Sequence, residues 1–384
     1  MPRLLTLVLA TLLSLSLGLA GSVRAEDALF TQVGRVVAVG DLHGDYEQYV
    51  RVLKHNKLVN DKLKWTGSDT HLVQLGDVTD RGPDSLKIIR HLMELEKQAR
   101  KSGGRVHVLI GNHEAMNVNE DLRYVHPGEF SQLVTRRSVR NKNQYLNRVF
   151  RAMKKNRPEL ISEKNRVMQR LRSLYPLGYV EHRELWSPGR EIAKWYAAHP
   201  AVIQINDTIF LHGGLNPHQE SFKPLNDINA TIQKELSPGG VPEMSIDPAG
   251  PLWYRGLANQ LAETELEPLE RMLAFYDAKR IMIGHTPTAG AIMPRFDGRV
   301  ILADVGLSAH YGSGMANVLI EDENIYAVHR GQPILLPTQD IDAYLKQVVA
   351  LEPQGSRLTK FVNQREKAAL APPDNSSTGQ RVSN

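Results

Sequence analysis

An α/β architecture of buried strands in layered sheets covered by helices follows from three features of the 384-residue chain. Short aliphatic runs end on Gly or a polar residue six times. Their apolar residues occupy both faces. Helical spacing lies between them. In order, the runs are residues 35–40 (RVVAVG), 71–76 (HLVQLG), 105–111 (RVHVLIG), 207–211 (DTIFL), 280–284 (RIMIG) and 300–303 (VILA). Strands apolar on both faces belong inside a sheet that helices cover on each side. Residues 84–101 carry Leu86, Ile88, Ile89, Leu92, Met93 and Leu95, with Glu94 and Glu96 outward, and Pro83 suits a helix start just ahead of them. From residue 117 to 199 the strand signals stop and the pattern reads as an inserted helical subdomain. Beyond about Asn363 the small, polar, Pro-rich composition predicts a disordered tail, residues 364–384.

The N-terminus has a different character. Arg3 precedes an apolar run over residues 4–20, and Val23, Arg24 and Ala25 stand where a signal peptidase would cut, so residues 1–25 read as a secretory signal. No second apolar stretch reaches the length of a membrane span. The expectation is an exported, soluble catalytic domain over residues 26–363, in a bacterial periplasm. The chain has no Cys, which excludes disulfides, thiolate zinc sites, a Cys nucleophile and lipoprotein acylation.

With 41% hydrophobic and 23% charged residues, the composition excludes disordered and collagen-like chains. The formal charge of +5 hides an uneven distribution. Loss of Arg3 and Arg24 with the signal leaves +3. Residues 136–172 hold 13 Lys and Arg against Glu159 and Glu163, a net of +11, so the rest of the mature chain sums to −8. One helical segment carries the positive charge beside an acidic body.

Chemistry-bearing residues stand at the strand ends. GDLHG brings Asp41 and His43; GDVTDRG brings Asp77, Asp80 and Arg81; GNHE brings Asn112, His113 and Glu114. The fourth and fifth runs end in LHGGLNP and GHTPT, with His212 and His285. Open α/β sheets place their sites at the C-terminal ends of strands. Helix caps do not require His or Asn beside Gly five times in succession. The donor types point to two metal ions: Asp41, His43 and Asp77 for one, Asp77, Asn112, His212 and His285 for the other, with Asp77 bridging. Mixed nitrogen and oxygen donors without thiolate favour Mn, Fe or Zn over Mg or Ca. Two such ions about 3.5–4 Å apart lower the pKa of a shared water and clamp an in-line displacement at phosphorus.

These motifs, in this order and together with PLWYRG at residues 251–256, resemble the phosphoprotein phosphatase family of metallophosphoesterases, and most closely its bacterial Shewanella-like branch. The resemblance spans residues 35 to about 317. It implies a β-sandwich core flanked by helices and the bimetal ligand set. It also implies His113 as the general acid, Asp80 as its orienting carboxylate, and Arg81 and Arg255 as clamps on the phosphate oxygens. Two departures stand out. Val78 and Thr79 occupy positions where eukaryotic members usually carry Tyr and Val, and residues 303–314 (ADVGLSAHYGSG) replace their SAPNYC loop. Toxin sensitivity and regulatory-subunit binding are therefore not carried over.

The expected function is bimetal-dependent phosphomonoester hydrolysis by a bridging hydroxide, without a phosphoenzyme intermediate. The expected substrates are proteins or peptides bearing phosphotyrosine, phosphoserine or phosphothreonine. One alternative is hydrolysis of small phosphoesters or nucleotides in the periplasm. Another is a non-catalytic binder of anionic partners through the basic insert. Nucleic acid is not an expected partner, because Tyr145 and Phe150 are the only aromatics in the charged run and offer no regular stacking platform.

Overall fold

A computed structural model of the protein describes residues 28–370; the expected signal, residues 1–25, lies outside the described residues. Two six-stranded sheets form the body, in the orders β12-β11-β10-β2-β3-β4 and β1-β5-β6-β7-β9-β8. In the first, β2 (Arg35–Val39), β3 (His71–Gln74) and β4 (Arg105–Val108) are parallel, with Val37 opposite Leu72 and Leu72 opposite Val106. In the second, β6 (Thr208–Leu211), β7 (Arg280–Ile283) and β9 (Val300–Leu302) are parallel. β5 (Val202–Ile205) and β8 (Met293–Arg295) run antiparallel at their flanks, and β1 (Leu29–Phe30) adds to β5. One hydrophobic core joins residues of both sheets, among them Val37, Leu72, Ile209 and Ile281.

Helices cover this core: α1 (Tyr46–His55) and α2 (Ser85–Lys101) follow β2 and β3, in the parallel-strand crossovers where right-handed connections place them. α2 occupies the stretch expected at residues 84–101 and buries Ile88, Ile89, Leu92 and Leu95. Each such side chain contributes about 1.5–3 kcal/mol through burial. Beside the second sheet lie α9 (Leu225–Glu235), the short α10 (Gly256–Asn259) and α11 (Ala262–Phe275).

Between β4 and β5 every described element is helical: α3 (Asn112–Val118), α4 (Pro127–Gln132), α5 (Ser138–Asn156), α6 (Lys164–Leu174), α7 (Tyr179–Trp186) and α8 (Glu191–Tyr196), with a 3-10 turn at Pro158–Ile161. α5 and α6 close on a small core of their own, built on Leu146, Phe150, Leu160, Met168 and Leu171. The base of α5 is tied to α7, where Glu181 accepts hydrogen bonds from Ser138 Oγ (2.9 Å) and Asn141 Nδ2 (3.0 Å). α7 is tied in turn to α3: Arg183 donates to the carbonyls of Asn117 and Val118.

The C-terminal third adds to the sequence reading in one place and corrects it in another. Beyond residue 303, β10 (Ala316–Glu321), β11 (Asn324–His329) and β12 (Gln332–Leu335) form an antiparallel meander that joins β2 through β10, with Val318 opposite Ala38. After α12 (Ile341–Val349), helix α13 (Arg357–Leu370) runs seven residues into the segment expected to be a tail from 364. Leu358, Phe361 and Val362 recur at helical spacing and pack on the main core, and this apolar stripe outweighs the polar composition around it. The remaining expected tail, residues 371–384, lies outside the described residues. No described helix is long and apolar enough to cross a membrane.

Candidate metal centre

The loops after β2, β3, β4, β6 and β7 converge at one end of the two sheets. Asp41, His43, Asp77, Asn112, His113, His212 and His285 are all buried there. His43, Asp77 and His113 form one group with mutually close donor atoms, and Asp77, His212 and His285 form another, so Asp77 belongs to both. His43 Nε2 lies 3.8 Å from Asp77 Oδ2 and 3.8 Å from Asp41 Oδ2; His212 Nε2 lies 3.3 Å from Asp77 Oδ1 and 2.9 Å from Asn112 Oδ1. The residues assigned to two ions from the sequence stand together around a shared Asp77.

The surrounding backbone selects the nitrogen of each histidine that is free to bind metal. His43 Nδ1 faces the Thr79 carbonyl at 2.9 Å and His212 Nδ1 the Leu75 carbonyl at 2.9 Å. Each Nδ1–H donates there, leaving the Nε2 lone pair toward Asp77. His285 is the reverse: Nε2–H donates to the Trp253 carbonyl at 3.1 Å, which puts the lone pair on Nδ1, where Arg255 Nη2 donates at 3.4 Å. Burial pushes His43 down to about 3; burial, His212 and Arg255 push His285 down to about 2. Both imidazoles are therefore neutral at ordinary pH and need not shed a proton to bind a cation.

The carboxylates show the complementary need for positive charge. Burial, with Asp304 and Asp77 nearby, raises the Asp41 carboxyl well above its usual range. Asp304 is pushed up to about 6, chiefly by burial. Asp77 is held well below its usual range: burial opposes ionisation there, but the neighbouring His212 and His113 prevail. Two divalent ions fit this buried cluster of carboxylate, amide and imidazole donors.

His113 differs from the other histidines. Its Nε2 lies 3.8 Å from Asp77 Oδ2, as close as that of His43, and distance alone would admit it as a ligand. Its Nδ1, however, meets Asp80 Oδ2 at 2.6 Å, and Asp80 Oδ1 accepts from Asn117 Nδ2 at 2.9 Å. Burial works against its protonation, yet Asp77 and Asp80 together raise its pKa above the ordinary histidine value. An imidazole held protonated is a proton donor rather than a metal ligand.

The two arginines have different partners. Arg81 stacks its guanidinium 3.9 Å from the centre of the Tyr124 ring, and its buried Nε has no hydrogen-bond partner. Arg255 is exposed and lies against His285: Nη1 donates to the His285 carbonyl (2.7 Å) and to Thr286 Oγ1 (3.1 Å). Beside His43 and Arg81 opens a cavity of about 480 Å³, also lined by Tyr46, Lys87, His126 and His310.

The local backbone is bent to reach this arrangement. His43, Asp77, Asp80, Arg81 and His285 all have φ between 43° and 68°, a left-handed region that non-glycine residues adopt at a cost. Glycines make the close approaches possible. A Cβ on Gly111 would stand 2.3 Å from Asp77 Oδ1, and one on Gly284 would stand 2.5 Å from Asp41 Oδ1.

The pattern of the calcineurin-like phosphoesterases matches residues 34–289. The chain belongs to that family. It is 32% identical over 317 residues to an uncharacterised protein of Schizosaccharomyces pombe, covering 78% of this chain and 82% of the relative. Shewanella-like protein phosphatase 1 of Plasmodium berghei is 28% identical and Shewanella-like protein phosphatase 2 of Arabidopsis thaliana 29%, over 77% and 76% of this chain and 74% and 75% of theirs. Among solved structures, a cold-active protein-tyrosine phosphatase of a psychrophilic Shewanella species shares the fold, with a TM-score of 0.61 at 24% identity over 82% of this chain and 83% of the other. As a calcineurin-like phosphoesterase, the protein is a metal-dependent phosphatase that uses two divalent ions.

Three residues of this calcineurin-like centre have parts that the sequence reading did not assign. Glu114, quoted within GNHE but given no role, accepts from the backbone N–H groups of Asp77, Val78, Thr79 and Gly111 and from Thr79 Oγ1, at 2.9–3.2 Å. It holds the left-handed bend at Asp77. Asp304 follows β9 as the other site residues follow their strands, and its electrostatic interaction with Asp41 could have been suspected from that placement. Glu129, on α4, receives Ser85 Oγ at 2.5 Å and the Asp80 backbone N–H. No sequence signal marks it, because the contact joins residues 44 positions apart.

Proposed function

We propose that the protein is a phosphoprotein phosphatase that hydrolyses phosphomonoesters of serine, threonine or tyrosine. The carrying observation is the buried His113–Asp80 pair, aimed at the Asp77 around which the two donor groups meet. The protein-phosphatase names of the Plasmodium and Arabidopsis relatives support the same reading. Two divalent ions held by Asp41, His43, Asp77, Asn112, His212 and His285 would supply a water of lowered pKa and withdraw charge from the phosphoryl oxygens. Mn is one of the ions such donors accept, beside Fe and Zn.

The chain's own groups supply the rest. Arg81 offers its terminal guanidinium donors, and Arg255 its remaining ones, to phosphate oxygens. His113 gives the proton on Nε2 to the departing alkoxide or phenoxide, while Asp80 fixes its ring by accepting from Nδ1. A serine alkoxide needs this proton more than a phenolate with a pKa near 10. We place this activity in a bacterial periplasm, supported by the signal-like residues 1–25.

The test is one panel. Metal-reconstituted protein is assayed on phosphotyrosine, phosphoserine and phosphothreonine peptides, on a phosphodiester and on nucleotides. Preferential peptide turnover is expected. Nucleotide turnover exceeding that of every peptide would replace the reading with a small-phosphoester hydrolase.

A further inference from the structure

The basic insert plays no part in the chemistry above, and its charge is organised. On α5, at about 100° per residue, Arg137, Arg140, Arg148, Arg151, Lys154 and Lys155 fall within an arc of about 120°. All six are exposed. The opposite face is the one that buries Leu146 and Phe150 against α6. The helix contains no Asp or Glu, and among the described residues none of the six cations pairs with a carboxylate. The two acids of residues 136–172 are engaged elsewhere, Glu159 with Arg157 and Glu163 with Arg166. Like charges repeated at three- and four-residue spacing destabilise a helix, so this face is built at a cost that an anionic partner would offset.

We propose that this face of α5 is a docking surface for an acidic segment flanking the phosphorylated residue of the protein substrate. The proposal rests on the phosphoprotein reading above. Three observations select this occupant. The apolar face of α5 is covered by α6, and Val139 is the one large apolar residue of the helix left exposed, too little to bury in a bilayer as an interfacial helix requires. The stripe carries no aromatic residue on which bases could stack. The insert abuts the catalytic turn: the Arg81 N–H donates to the Tyr124 carbonyl, Gln132 Nε2 donates to Asp84, and α5 begins six residues after α4 ends.

A segment covalently joined to the phosphoresidue is held near the stripe at high effective concentration, as a free polyanion is not. The 19-residue helix is about 28 Å long, which about eight extended residues span. The −8 body would repel such a segment, and the +11 insert reverses that local sign.

The test uses full-length metal-loaded protein and the variant R140Q/R148Q/R151Q/K155Q, with matched phosphopeptides bearing an eight-residue acidic or neutral flank. For the acidic peptide at low salt, the variant should raise KM about tenfold with kcat unchanged. The difference should vanish at about 0.5 M salt, and turnover of p-nitrophenyl phosphate should be unaffected. Fluorescence anisotropy with the unphosphorylated acidic peptide reads docking without catalysis and should show the same loss. Equal KM for both flanks in both proteins overturns docking while leaving the phosphatase reading intact. Acidic-peptide binding without turnover of any phosphopeptide overturns the phosphatase reading instead. Tighter binding of phosphatidylglycerol vesicles or duplex DNA than of the acidic peptide overturns the choice of occupant.

Discussion

Replacing His113 with Asn should separate substrates by leaving group. The imidazole donates through Nδ1 to Asp80 at 2.6 Å and directs Nε2 toward Asp77, the carboxylate common to both candidate ligand groups, 3.8 Å away. The side chain is 6% exposed, so no bulk water replaces its proton. A positioned general acid contributes about 10²–10⁴-fold to a step that needs it. Turnover of a phosphoserine peptide by H113N should therefore fall about 10³-fold, and that of a phosphotyrosine peptide at least about tenfold less, because the phenolate departs near pKa 10. Single-turnover kinetics at fixed metal occupancy measure both. Metal content by mass spectrometry is the necessary partner measurement, since the distances would also permit a ligand role. Equal losses on both substrates, accompanied by loss of a bound ion, would refute the acid assignment and make His113 a ligand.

The other predictions follow from the same geometry. Asp80→Asn removes one of the carboxylates that raise His113; the acid must be protonated to act, so the alkaline limb of phosphoserine turnover should move to lower pH. Glu129 is pushed up to about 8 by burial and Asp80, against about 4.3 unfolded, so folding takes up a proton in that window and stability falls as pH rises through it, by at most about 1.4 kcal/mol per pH unit. Gln has no such proton to lose, so the melting temperature of E129Q relative to wild type should rise between pH 5 and pH 8. Gly111→Ala should cut metal affinity and activity together, because its Cβ would meet Asp77 Oδ1 at 2.3 Å; calorimetric metal titration checks this. Chelation should lower the melting temperature by a few degrees, since metal at 100 times its Kd adds about 2.7 kcal/mol.

The site was legible in the sequence because its ligands are carried locally. Asp41, His43, Asp77, Asn112, His212 and His285 each follow a short apolar strand, and parallel strands deliver their following loops to one end of a sheet. What could not be read lies in contacts between distant segments. The link from Glu129 to Ser85 and Asp80, and the stacking of Tyr124 on Arg81, depend on how the insert folds back over the turn. The meander β10–β12 escaped because β10 and β11 are fully buried over only half their length and β12 is largely exposed, so they have fewer buried positions than the central strands. α13 was hidden because its apolar stripe is embedded in polar sequence.

The most direct test of the two-metal centre is metal stoichiometry measured with activity on the wild type and Asp77→Asn. Asp77 is the one donor common to both ligand groups. Reconstituted wild type should hold two divalent ions per chain and hydrolyse phosphomonoesters, and D77N should lose tight binding at both sites together with turnover. Undiminished turnover by exhaustively chelated protein, or by D77N, would contradict the account.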